Sequence, residues 1–146
     1  MYTVKEVAKM LDITEHTVRF YTDKGLVPSL KRDKNNNRLF DQDSVNWLKG
    51  AKALKKAGMS VEAIKNYVDL CLKGDETVIK RYEIILEQKD VALKKLEEAK
   101  EIAALLEKKA ARYLDIINQE MPDHMNPAKW GDNNNKNEKE IEVIPK

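Results

Sequence analysis

The residues of this chain best equipped for chemistry are hydrogen-bond donors and cations rather than nucleophiles. Glu15, His16, Thr17, Arg19 and Tyr21 fall within seven positions, and Lys31, Arg32, Lys34 and Arg38 within eight. An arginine fork fits two phosphate oxygens, or O6 and N7 of a guanine; a threonine or tyrosine hydroxyl bonds one oxygen; a glutamate accepts from an amine such as cytosine N4. His16 reaches either kind of target. Flexible lysines and arginines neutralise phosphates without reading sequence. The set is therefore suited to holding a polyanion and distinguishing its parts.

Catalytic chemistry has no comparable set. The sequence holds no Gly-rich phosphate loop, no cluster of metal ligands and no nucleophile with a base beside it, so an enzyme is not expected. Cys71 is the only cysteine, which excludes an intrachain disulfide and an all-cysteine metal site within one subunit. Asp123 and His124 lie in a Pro-flanked stretch and read as a surface turn rather than metal ligands. No cofactor is called for.

Positioning the cations requires elements, and the punctuation of the sequence supplies them. Thr3 with Glu6 three positions on is a capping box, and Val4, Val7, Ala8 and Leu11 recur at helical spacing, which predicts a short helix over about 4 to 11. Asp12 breaks that pattern. Thr14 caps a second helix over about 15 to 23, stopped by Gly25, with Val18 on its packing face. Two short helices across a tight turn form a helix-turn-helix, whose second helix presents its N-terminal residues to base edges in the major groove. Ser29-Leu30-Lys31 and Arg38-Leu39-Phe40 flank a turn containing Asn35, Asn36 and Asn37, a β-hairpin wing in which asparagine takes the positive φ of a tight turn. Asp41 opens a third helix ended by Gly58, and Ser60 a fourth ended by Gly74. Their inward faces are Val45, Leu48, Ala51 and Leu54, then Ile64, Tyr67, Val68 and Cys71.

From Val78 the pattern lengthens. Val78, Tyr82, Ile85, Ala92, Leu96, Ala99, Ala103, Leu106, Ala110, Tyr113 and Ile117 fall on steps of three and four interrupted only at Lys89, with no Gly or Pro from Asp75 to Met121. Such a stripe is the seam of a coiled coil, and a helix of about 40 residues, roughly 60 Å long, cannot bury it alone. Self-association follows. The expected fold is all-α with a small β wing: a winged helix-turn-helix domain over 1–74, a long antiparallel coiled-coil dimerisation helix over 75–120, and a mostly disordered polar tail over 121–146.

The bulk numbers agree. The 146 residues are 36% charged and 6% aromatic, as helix-rich chains are, and carry a net charge of +2. That charge is unevenly spread: residues 1–74 hold 14 Lys and Arg against nine Asp and Glu, whereas residues 75–146 hold 13 against 16. No apolar run approaches the roughly 18 residues of a membrane span, and Met1-Tyr2-Thr3-Val4-Lys5 begins no signal peptide, so the cytoplasm is the expected location and no membrane partner is expected.

The run Tyr2-Thr3-Val4-Lys5-Glu6-Val7-Ala8, then Thr17-Val18-Arg19-Phe20-Tyr21, Gly25-Leu26-Val27, Arg38-Leu39-Phe40 and Ala57-Gly58-Met59-Ser60, resembles the MerR family of bacterial regulators over about residues 2 to 73. The resemblance implies a homodimer on a pseudo-palindromic site in double-stranded promoter DNA, with contacts from Arg19, Tyr21 and Arg38. It also implies bending and untwisting of an overlong promoter spacer so that RNA polymerase engages both promoter elements. Phe20, Asn37 and Phe40 depart from the family's pattern, and Phe40 lacks the hydroxyl a phosphate contact there would use. The segments around Trp47 to Met59 and Asp69 to Thr77 look most like a branch linked to aldehyde and electrophile stress, but Ala53 stands where that branch often has a reactive cysteine. Cys71, on the apolar face of the fourth helix, reads as a packing residue. Trp47, Tyr67, Tyr82 and Tyr113 are candidates for a small apolar pocket or for core, and no effector is legible. The rival reading is an architectural protein that tethers DNA through the winged helix and recruits a partner through the coiled coil.

Overall fold

Four of the five helices begin on a side chain chosen for the purpose. A computed structural model describes residues 1–118 and 121–131. It contains α1 (Val4–Leu11), α2 (Glu15–Asp23), strands β1 (Lys31–Arg32) and β2 (Arg38–Leu39), α3 (Gln42–Lys56), α4 (Val61–Lys73) and α5 (Val78–Ile117), with 3₁₀ turns at Asp75–Thr77 and Pro127–Lys129. Thr3, Thr14, Asp41 and Ser60 each accept a hydrogen bond from the backbone amide three residues on, and Glu6 completes the capping box at Thr3. Each such cap stabilises its helix by about 1 kcal/mol. The stops are equally local: Asp12 closes α1 in the left-handed region at φ 52°, and Gly25 follows α2 at φ 77°. A Cβ at Gly25 would lie 2.8 Å from Cε of Lys65, a contact that flexible side chain can relieve, so the positive φ is what calls for glycine.

Helices α1 to α4 enclose one core. Val7, Val18, Leu26, Phe40, Val45, Leu48 and Ile64 are completely buried, with Met59 beside them. Lys52 of α3 reaches back to donate to the Leu11 carbonyl at the C-terminal end of α1, where a cation offsets the negative end of the helix dipole. The strands pair antiparallel, Lys31 opposite Leu39 and Arg32 opposite Arg38, and Tyr2 bridges to Phe40 through two backbone hydrogen bonds of 2.7 and 2.8 Å. The wing is thus sewn to the N-terminus at its base. Phe40, which lacks the hydroxyl the family pattern implies there, is wholly buried, so its ring serves the core.

Packing divides the chain within α5, into one unit ending at Ala92 and another beginning at Leu93. The first unit takes in the start of α5, beyond the boundary expected after residue 74. Its corner is held by Thr77, which is buried: the hydroxyl lies 2.7 Å from the Leu70 carbonyl and 2.8 Å from that of Gly74, and accepts from Nε of Arg81 at 3.0 Å. Ile84 packs against the core, while Val78, Tyr82 and Ile85 are exposed.

In the second unit, Leu96, Leu106, Tyr113 and Ile117 of the expected seam are exposed. Residues 121–131 form a local turn in which Trp130 Nε1 donates to the His124 carbonyl at 2.9 Å and the Asp123 carboxylate accepts from the amides of Met125 and Asn126. The Met125 amide, then Lys129 and the Asn126 amide, hold the Asp123 carboxyl below the usual carboxylate range. The tail expected to be disordered extends into 132–146, which lies outside the described residues.

Candidate nucleic-acid interface

Three elements meet at a groove of about 380 Å³. The start of α1 contributes Thr3 and Lys5, α2 contributes Glu15 and Arg19, and the wing contributes Arg32, Asp33, Asn36, Asn37 and Arg38. The lining is largely polar and rich in cations, as a surface that receives phosphates must be.

On α2, Glu15, His16 and Arg19 are exposed and Thr17 is half-buried beside the cap, its hydroxyl 2.8 Å from that of Thr14. Arg19 pairs with Glu15 one turn earlier at 3.3 Å, with both side chains about half exposed, so the guanidinium is oriented yet open to exchange. Val18, on the opposite face, is completely buried. Tyr21 differs from the other expected contacts: it is 6% exposed, and burial raises its phenol above the ordinary value, so it stays neutral and most of the ring belongs to the core. Phe20 lies outside it, with Lys24 Nζ 5.6 Å from the ring centre.

The wing cations are more engaged than their sequence positions imply. Lys31 pairs with Asp41 at 3.1 Å, Arg32 donates to the Asn36 carbonyl at 2.9 Å, and Arg38 pairs with Asp23 at 2.7 Å. Lys34 is exposed in the turn. That turn is organised by Asp33, whose Oδ1 accepts from the amides of Asn35 and Asn37 at 2.8 and 2.9 Å, while Asn36 adopts φ 64°. The Asn37 amide, ahead of the other donors, holds the Asp33 carboxyl below its usual range. At the wing's base Asp41 is held down to about 2, chiefly by the Ser44 amide it caps and then by Lys31.

Sequence reasoning missed Lys5 and Asp23. Lys5 reads as one more solvated helix position, and nothing local marks Asp23 as the partner of a residue 15 positions away. The proposed aromatic pocket resolves differently. Trp47 and Tyr67 line a cavity of only about 60 Å³ with Gly50, Ala51, Leu54, Ile64 and Val68, whereas Tyr82 and Tyr113 are 61% and 47% exposed. Cys71 is half-buried with a free thiol.

A helix-turn-helix with a hairpin wing and a cation-lined groove is the architecture of a protein that reads duplex DNA. The chain matches the family model described as MerR HTH family regulatory protein over residues 2–71. It is 34% identical over 112 residues to an uncharacterized HTH-type transcriptional regulator of Haemophilus influenzae, covering 77% of this chain and 83% of that one. It is also 34% identical over 86 residues to the HTH-type transcriptional regulator AdhR of Bacillus subtilis, covering 59% of this chain and 61% of AdhR. Among solved structures it is similar to HiNmlR, a MerR family regulator lacking the sensor domain that was crystallised bound to promoter DNA. The TM-score is 0.67 at 33% identity, over 78% of this chain and 90% of HiNmlR. The chain belongs to the MerR family of helix-turn-helix transcriptional regulators.

Proposed function

We propose that the chain acts as a cytoplasmic homodimer on a pseudo-palindromic promoter site, laying the start of α2 in the major groove and the wing on flanking phosphates. The observation that carries this is the groove in which Lys5, Arg19, Arg32 and Arg38, from three elements, converge beside the recognition helix. Arg19 and His16 reach base edges or phosphates, Glu15 accepts from a base amine, and Thr17 and the Tyr21 hydroxyl take phosphate oxygens. Lys31, Arg32, Lys34 and Arg38 neutralise the backbone. The exposed seam of α5 supports the dimer, since Leu96 and Leu106 stand in water in the single chain. Two winged domains held at fixed spacing bend and untwist the promoter spacer, at a cost of a few kcal/mol offset by phosphate contacts from both subunits, and so allow RNA polymerase to engage both promoter elements. HiNmlR, bound to promoter DNA while lacking a sensor domain, supports this for a chain of the same plan.

Footprinting and a promoter reporter test it together. Protection of two half-sites across a promoter spacer, with output changing when the protein is present, is expected. Arg19→Ala should weaken both strongly while leaving the dimer intact. Protection of a single half-site, or of sites remote from promoters, would sink the mechanism, and binding without a change in output would favour tethering.

A further inference from the structure

Beyond the Tyr2–Phe40 bridge at its base, the wing itself is too small to hold its direction. Each strand is two residues long, and an isolated two-stranded hairpin is marginal in water. Its register also places Arg32 directly opposite Arg38, a juxtaposition of like charges that opposes pairing. Two observations show how this is relieved. Arg32 turns to the Asn36 carbonyl within the wing, and Arg38 leaves the wing for Asp23 at the end of α2. The second contact is short, 2.7 Å, and unequal: the Arg38 side chain is 19% exposed and that of Asp23 61%. A guanidinium mostly withdrawn from water needs an acceptor, and its Nε is buried with none among the described residues. The Asp23 carboxylate therefore carries most of the compensation for Arg38.

We propose that Asp23 is a positioning residue for DNA binding: its carboxylate pins Arg38 to the end of the recognition helix, so that wing and helix present their cations to one DNA strand in fixed geometry. The proposal rests on the DNA-binding reading above and adds a residue that touches no DNA. It runs against simple electrostatics, in which an acidic residue beside a phosphate-binding groove weakens binding. Pre-organisation outweighs that repulsion because ordering Arg38 and the wing is done before DNA arrives.

The full-length chain is tested on a 30-bp duplex that the wild type enriches from a random pool. Asp23→Ala is expected to weaken binding about five- to tenfold in wild-type Arg38 and less than twofold in Arg38→Ala, since residues coupled in one contact are not additive. Asp23→Glu should restore most of the loss. Adding salt gives an independent readout: although Asp23→Ala makes the protein more positive, the slope of log K against log salt should become shallower by about 0.9, one phosphate contact. Circular dichroism and the melting curve of each variant show whether it folds; if Asp23→Ala does not, Asp23→Asn carries the same cycle. Binding as tight as or tighter than wild type, or a loss undiminished in Arg38→Ala, overturns the proposal. Failure of the wild type to enrich any sequence sinks the DNA-binding reading itself, a distinguishable result.

Discussion

Arg19 reaches the groove already paired, and the weakness of that pairing suits its task. An exposed Glu15–Arg19 pair one helical turn apart contributes only about 0.3–0.5 kcal/mol, so in the proposed DNA contact a phosphate or guanine edge would displace it readily. Loss of Arg19 is then expected to cost about 1–3 kcal/mol of binding to a specific duplex, measured by anisotropy, with no change in melting temperature beyond a degree or two. Asp41 makes a different prediction, on acid stability. Its folded pKa of about 2 lies below the ordinary 3.8, so its contribution is complete above about pH 4 and is lost as pH falls toward 2. Asp41→Asn keeps the capping oxygen but loses the charge. The wild type should exceed it in urea midpoint at pH 5, and the gap should shrink steeply as pH falls toward 2; a gap undiminished between pH 5 and pH 2 would contradict the assignment.

At the scale of elements, helix bounds were legible and their docking was not. Thr3, Thr14, Asp41 and Ser60 mark starts because a cap involves atoms three residues apart, and Asp12, Gly25, Gly58 and Gly74 mark stops because positive φ is a property of one residue. The wing was legible as a hairpin from its asparagines, yet the residue that organises it is Asp33, which binds two backbone amides of its own turn. Asp33→Ala should speed amide exchange at Asn35 and Asn37 without altering exchange in α3. The corner before α5 depends on Thr77, whose buried hydroxyl serves two carbonyls and Arg81. Thr77→Val takes the hydroxyl donor from the Leu70 carbonyl and the acceptor from Arg81 Nε, and should destabilise the fold by about 1–3 kcal/mol, read from chemical denaturation. No spacing rule announces Thr77, because Leu70 lies seven residues back in a different helix.

At the scale of the whole molecule, the apolar stripe of α5 makes the strongest demand. Leu96 and Leu106 are 53% and 57% exposed, and burying such side chains is worth about 1.5–3 kcal/mol each. Leu96→Glu with Leu106→Glu should turn the proposed dimer into a monomer in sedimentation velocity, leave α1 to α4 folded by circular dichroism, and lower DNA affinity, since a monomer would engage one half-site. Sequence by itself determined the helices, the hairpin and the stripe that calls for a partner, because caps, positive-φ residues and periodicity are set by neighbours along the chain. Only tertiary structure decided which cations are already engaged, that Tyr21 and Phe40 pack inward, and that Asp23 meets Arg38. The Arg38–Asp23 contact joins side chains 15 residues apart, and the burial of Tyr21 and Phe40 depends on packing from other elements, so no local propensity encodes either.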